Sequence, residues 1–133
     1  EKLIIVPEPY YYYVTNPEGL YHSEFNEKQL DSIEASKFIY DFYIDKYENL
    51  APFYALKICY YIAIFYWPLK RSNIMDKDRI LSEMHLDFKY YFNCFKDSEA
   101  IKYTAKKRIG LLKLSKLNLP LGSFIYNFYD KMK

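Results

Sequence analysis

The chain has 133 residues, half of them apolar (51%), with 19 basic and 17 acidic side chains and a formal charge of +2. So much burial potential argues against intrinsic disorder, and the length suits one compact body rather than two. Three glycines are few for a phosphate-cradling loop fold, and so small a charge excess speaks against a generic nucleic-acid binder.

Residues 2–6 (KLIIV) predict a short apolar strand, closed by Pro7-Glu8-Pro9, which excludes helix and enforces an extended corner. Residues 10–14 (YYYYV) predict a second strand, since aromatic and β-branched side chains suit a pleated surface. Asn16-Pro17-Glu18-Gly19 is a turn signal, and a polar loop follows to Ser23. Asn26 with Gln29 three residues on has the form of a capping box, opening a helix from Glu27 to about Tyr47. Leu30, Ile33, Phe38, Phe42 and Ile44 are expected on one broad apolar face of it.

Pro52 suits the first turn of a second helix, which should reach Trp67 before Pro68 ends or kinks it. Its uncharged stretch, Ile58 to Leu69, is 12 residues long. Crossing hydrocarbon takes roughly 20 apolar residues, so a buried core helix is expected. A third helix is predicted over 77–96, where Ile80, Met84, Phe88, Tyr91, Phe92 and Phe95 recur at steps of three and four. Asp97 or Ser98 caps a fourth helix reaching Leu117, Leu119-Pro120 interrupts the chain, and a last helix covers 123–132. The fold class is therefore mainly α: a short N-terminal β-strand pair followed by a four- to five-helix bundle.

Charge is unevenly spread. Residues 1–97 carry 11 basic and 15 acidic side chains, whereas residues 98–133 carry 8 and 2. Lys102, Lys106, Lys107, Arg108, Lys113 and Lys116 alternate with Ile101, Ile109, Leu112 and Leu117, which describes a basic amphipathic helix. A solvated face is the default for such a helix. Contact with anionic lipid or a partner is the functional alternative, and single-stranded nucleic acid ranks third. Nucleic acid is not expected, because cations and aromatics fall in different helices.

Few other residues offer chemistry. Cys59 and Cys94 lack the spacing of a zinc site or disulfide framework and are expected as buried, reduced thiols. His85 belongs to a helix flank or core, and His22 beside Ser23 and Glu24 reads as loop rather than triad. Asp76-Lys77-Asp78 has the look of an acidic first helical turn, favoured by the helix dipole, not of a metal site. The four consecutive tyrosines, Tyr10 to Tyr13, could pack strand on helix or stack on a sugar or base. Part of the excess of 17 Tyr follows from a composition rich in Lys, Ile and Asn, as an AT-rich coding sequence produces.

Ile5-Val6-Pro7, Pro9 to Tyr13, Glu18 to Ser23 and Lys28 to Ala35 carry a resemblance in their order and spacing. This segment resembles the closing part of the catalytic domain of bacterial family 2 glycosyltransferases, inverting enzymes that use nucleotide-sugar donors. There an apolar strand leads to a tyrosine-rich strand, a turn, and a helix opening near "K-x-L-D-x-I/L-E-A". The resemblance implies that residues 1–25 end the catalytic β element and its loop, and that residues 26–133 form a C-terminal helical domain. Tyr13, Tyr21, His22 and Ser23 become a donor-proximal loop, although Val14 and Gly19 stand where the family has Arg and Ser.

The same resemblance implies that no catalytic or metal-binding residue lies in this chain and that the chain alone is inactive. Nucleotide sugar and a divalent metal (Mg or Mn) belong to the catalytic domain of the same polypeptide, which is then its first partner. A homodimer and a peripheral contact at the inner face of the plasma membrane are the others, in a cytoplasmic setting. The acceptor is a glycan or lipid-linked glycan of cell-wall, capsule or exopolysaccharide synthesis. The rival reading is an independent helical module for protein interaction or membrane-surface binding, without enzymatic role.

Overall fold

The computed structural model describes residues 25–130, with side chains to residue 128. The predicted strands at 2–6 and 10–14, and the loop residues Tyr13, Tyr21, His22 and Ser23, lie outside the described residues. Among the described residues there are five α-helices and no strand: α1 (Asp31–Lys46), α2 (Ala51–Arg71), α3 (Lys77–Phe95), α4 (Lys106–Leu117) and α5 (Leu119–Asp130). The mainly helical class and the bundle of five helices are thus seen directly.

The predicted capping box does not form. Asn26 has the extended backbone of a cap, but its side chain makes no capping hydrogen bond. A single 3-10 turn, Glu27–Gln29, intervenes before α1 begins at Asp31. The face of α1 also differs from expectation. Ile33, Ser36 and Tyr40 point inward, while Phe38 and Phe42 are 77% and 47% exposed and Ile44 is exposed in the last turn. At about 100° per residue, Phe38 and Phe42 lie roughly 140–180° around the helix from Ile33, too far to share its face.

α2 is the central helix and packs against α1, α3, α4 and α5. Ala55, Ile58, Cys59, Ile62, Ala63 and Leu69 are wholly buried along it. Each large aliphatic side chain so buried contributes about 1.5–3 kcal/mol, which accounts for its apolar composition all round. Pro52 stands in the first turn as expected. Among the described residues, no helix is long and apolar enough to cross a membrane.

Pro68 neither ends nor replaces the helix, which continues to Arg71. A proline there removes the N–H that the Ile64 carbonyl would accept, and its ring crowds that carbonyl. The gap is closed from α5. The Asn127 amide donates to the Ile64 carbonyl at 3.0 Å, and the Trp67 N–H donates to Ser123 Oγ at 2.7 Å. Ser123 and Asn127 are one helical turn apart, so one face of α5 supplies both groups.

On α3 the predicted stripe holds: Met84, Phe88, Tyr91, Phe92 and Phe95 are buried, Ile80 is half-buried, and Leu81 joins them. Asp78 lies in the first turn, and Asp76 before it takes a left-handed backbone (φ 58°), which short polar side chains tolerate.

The predicted fourth helix over 98–117 is divided. A 3-10 turn, Glu99–Ile101, is followed by Thr104, whose hydroxyl donates to the Ala100 carbonyl at 2.8 Å, and by Ala105 with extended backbone. Only then does α4 start.

Leu119-Pro120 does not interrupt the chain but opens α5, four residues before the expected start. Asn118 ends α4, and its Oδ1 accepts the Leu121 N–H at 3.0 Å, a regular N-cap with proline in the first turn. α4 and α5 cross closely at Ser115 and Gly122. A Cβ at Gly122 would stand 2.8 Å from the Ser115 Cα, closer than real Cβ contacts come.

Candidate functional site

The α4 sequence divides inward and outward residues cleanly. Leu112 and Ser115 are buried, Ile109 is half-buried, and Lys106, Lys107, Lys113 and Lys116 reach solvent. Leu117, expected on the apolar side, is 85% exposed and extends the outward ridge through Lys106, Gly110 and Lys113. The spacing of those four residues follows the helical period.

The six predicted cations have three different fates. Lys102 lies outside α4 and pairs with Glu99 at 2.5 Å, both exposed. Arg108 and Lys116 lie over aromatic faces, 4.9 Å from the ring centres of Tyr60 and Phe92 respectively. Such contacts are worth about 0.5–1 kcal/mol at exposed sites and hold the cation in place. Lys106, Lys107 and Lys113 project from α4 into solvent.

Next to this face, the end of α3 and the inner flank of α4 border a half-open hollow of about 390 Å³. Phe92, Phe95, Ile109 and Leu112 make its apolar floor, and Lys96, Lys113 and Lys116 stand around it. Asp97 also lines it, with an oxygen 3.8 Å from the Lys96 ammonium; both are exposed, so the pair contributes little. Sequence reasoning placed Phe92 and Phe95 in the α3 stripe but did not single out Lys96, because it assigned α3 and α4 separate roles. The one available signal was a lysine just past a helix C-terminus, where a cation suits the dipole.

Several other titratable groups are tied into helix packing. Lys37 bonds Asp87 at 2.6 Å and Glu34 at 2.8 Å, joining α1 to α3. Burial alone would lower the Lys37 pKa, but its hydrogen bonds to Asp87 and Glu34 outweigh this and raise it. Tyr40 meets Tyr91 edge to face, with ring centres 5.1 Å apart. Burial, with the Asp41 and Asp87 charges, pushes the Tyr91 phenol up to about 12, and burial with neighbouring Cys94 raises Tyr40 well above its ordinary value.

Both cysteines are free thiols. Cys59 is buried, donates to the Phe88 carbonyl at 3.5 Å, and has its pKa pushed well up by burial. A buried thiol of raised pKa is a poor nucleophile. Cys94 is only half-buried, unlike the expectation, and its thiol donates to the Tyr90 carbonyl at 3.4 Å. His85 is exposed on the flank of α3. Among the described residues, no three His, Cys, Asp or Glu side chains gather as metal ligands.

Comparison with protein-family models, with curated proteins and with solved structures produced no match to this chain.

Proposed function

We propose that this chain is the non-catalytic C-terminal helical part of a family 2 glycosyltransferase, which braces the catalytic domain and closes over its donor site. The carrying observation is the ordered resemblance over residues 5–35. Its last block, Lys28 to Ala35, runs from the 3-10 turn, where Gln29 is buried, into α1, where Ile33 is buried. This last block is therefore part of the helical bundle. Inverting transfer needs a carboxylate as general base and a metal to neutralise the departing diphosphate; in this reading the catalytic domain holds both.

Residues 1–133 incubated with a panel of nucleotide sugars and Mg²⁺ or Mn²⁺ are expected to release no nucleoside diphosphate. The reading frame upstream of Glu1 is expected to encode a strand-rich domain with a D-x-D motif, and the joined polypeptide to be active. Robust turnover by this chain alone, or an upstream frame without such a domain, overturns the proposal.

A second reading, a membrane-surface module, is favoured by the exposure of Lys106, Lys107 and Lys113. Each cation near an anionic bilayer contributes about 1 kcal/mol. Flotation with vesicles of phosphatidylserine should then be salt-sensitive and lost on Lys106→Glu with Lys107→Glu; no flotation at low salt removes this reading.

A further inference from the structure

We infer that the hollow between the end of α3 and α4 is a binding site for a single-chain amphiphilic anion, an organic phosphate or carboxylate carrying a hydrocarbon tail. Two elements converge to make it. Lys96 arrives from the end of α3, and Lys113 and Lys116 from α4, so the positive rim is not the property of one helix. Asp97 offsets one of these three charges and stands 87% exposed, which leaves a net positive rim. The surrounding chain adds few competing acids, since residues 98–133 contain only Glu99 and Asp130.

The floor has the opposite character. Phe95 and Leu112 are each 1% exposed beneath it, and Ile101 and Ile109, half-buried, line it. The hollow measures about 390 Å³ and is half open to solvent, so a ligand held there keeps one side in water. Hydrocarbon laid against the exposed parts of Ile101 and Ile109 leaves water, while an oxyanion near Lys96 and Lys113 gains charge-assisted hydrogen bonds. Lys116 is already held over the Phe92 ring, so less freedom is lost when an anion arrives. Rim and floor each suit one half of an amphiphile. The hollow would serve a transferase part and an independent module alike, so it stands or falls separately from the reading above.

The test uses the full chain and a fluorescent fatty-acid probe, dansylundecanoate, displaced by unlabelled competitors below their micelle concentrations. Decyl phosphate is expected to displace the probe at least tenfold more effectively than inorganic phosphate or decyl maltoside. Lys96→Gln with Lys113→Gln, both exposed positions, should weaken decyl phosphate at least fivefold with helix content unchanged. Ile109→Trp, which fills the hollow, should weaken probe and competitor together. The proposal is overturned if the probe does not bind, if inorganic phosphate or decyl maltoside competes as well as decyl phosphate, or if the double lysine variant binds as the parent does. Should Ile109→Trp fail to fold, the lysine variant and the competitor series decide alone.

Discussion

Asn127→Ala should destabilise the protein through the carbonyl that Pro68 leaves without its helical donor. The Asn127 amide donates to the Ile64 carbonyl at 3.0 Å and to the Ser123 carbonyl at 2.8 Å, both in a part-buried setting. A net hydrogen bond is worth about 1 kcal/mol, and stranding a buried acceptor costs about 1–3 kcal/mol, so a loss of about 1–2 kcal/mol is expected. For a chain of this size that lowers Tm by about 3–5 °C per kcal/mol. In a Pro68→Ala background the new N–H of residue 68 reaches the Ile64 carbonyl by ordinary helix geometry. There Asn127→Ala should cost only about 0.5 kcal/mol, the remnant of its bond to Ser123. Urea unfolding of the four proteins, followed by circular dichroism at 222 nm with a common m-value, yields the coupling. A cycle additive within about 0.3 kcal/mol would refute the reasoning.

Gly122→Ala should destabilise by about 1–3 kcal/mol despite Ala being the better helix former, because its Cβ meets the Ser115 backbone, which cannot step aside; thermal unfolding measures the sign. Tyr91 and Tyr40 hold their protons more tightly folded than unfolded. Their contribution is therefore intact below the ordinary tyrosine range near pH 10 and fades as pH climbs through it. Tyr91→Phe should shift the alkaline unfolding midpoint upward, read by circular dichroism across an alkaline pH series. The raised Lys37 pKa has the same sign: its contribution is present below the ordinary lysine range and is lost as pH rises through the folded value. Asp87→Asn should cost about 0.5–1 kcal/mol at pH 7, read by urea unfolding, for a pair still partly open to water.

The stripe on α3 was legible because its face meets neighbours on one side only, so the 3.6-residue period is written in the apolar residues themselves. On α1 the apolar residues fall on both sides, and periodicity cannot choose between Ile33 with Tyr40 and Phe38 with Phe42. The two misread prolines share a cause. Local rules treat Pro68 and Pro120 as breaks, yet Pro68 is rescued by groups more than fifty residues away and Pro120 by a cap at Asn118. Among the candidate site residues, the lysines of α4 were visible as a charge pattern. Which of them lie over rings, and that Lys96 joins them across the hollow, depends on how α3 meets α4, which no single segment encodes.

A single residue, Asn118, separates α4 from α5, and it is engaged as the cap of the second helix. With Gly122 seated against Ser115, the two helices leave no room between them at this joint. α5 is tied to α2 at the proline gap, and α4, of equal length, bears the cations. Loss of the Ser123 and Asn127 bonds to α2 would therefore strain the α4–α5 joint, while Arg108 over Tyr60 and Lys116 over Phe92 still hold the lysine face to α2 and α3.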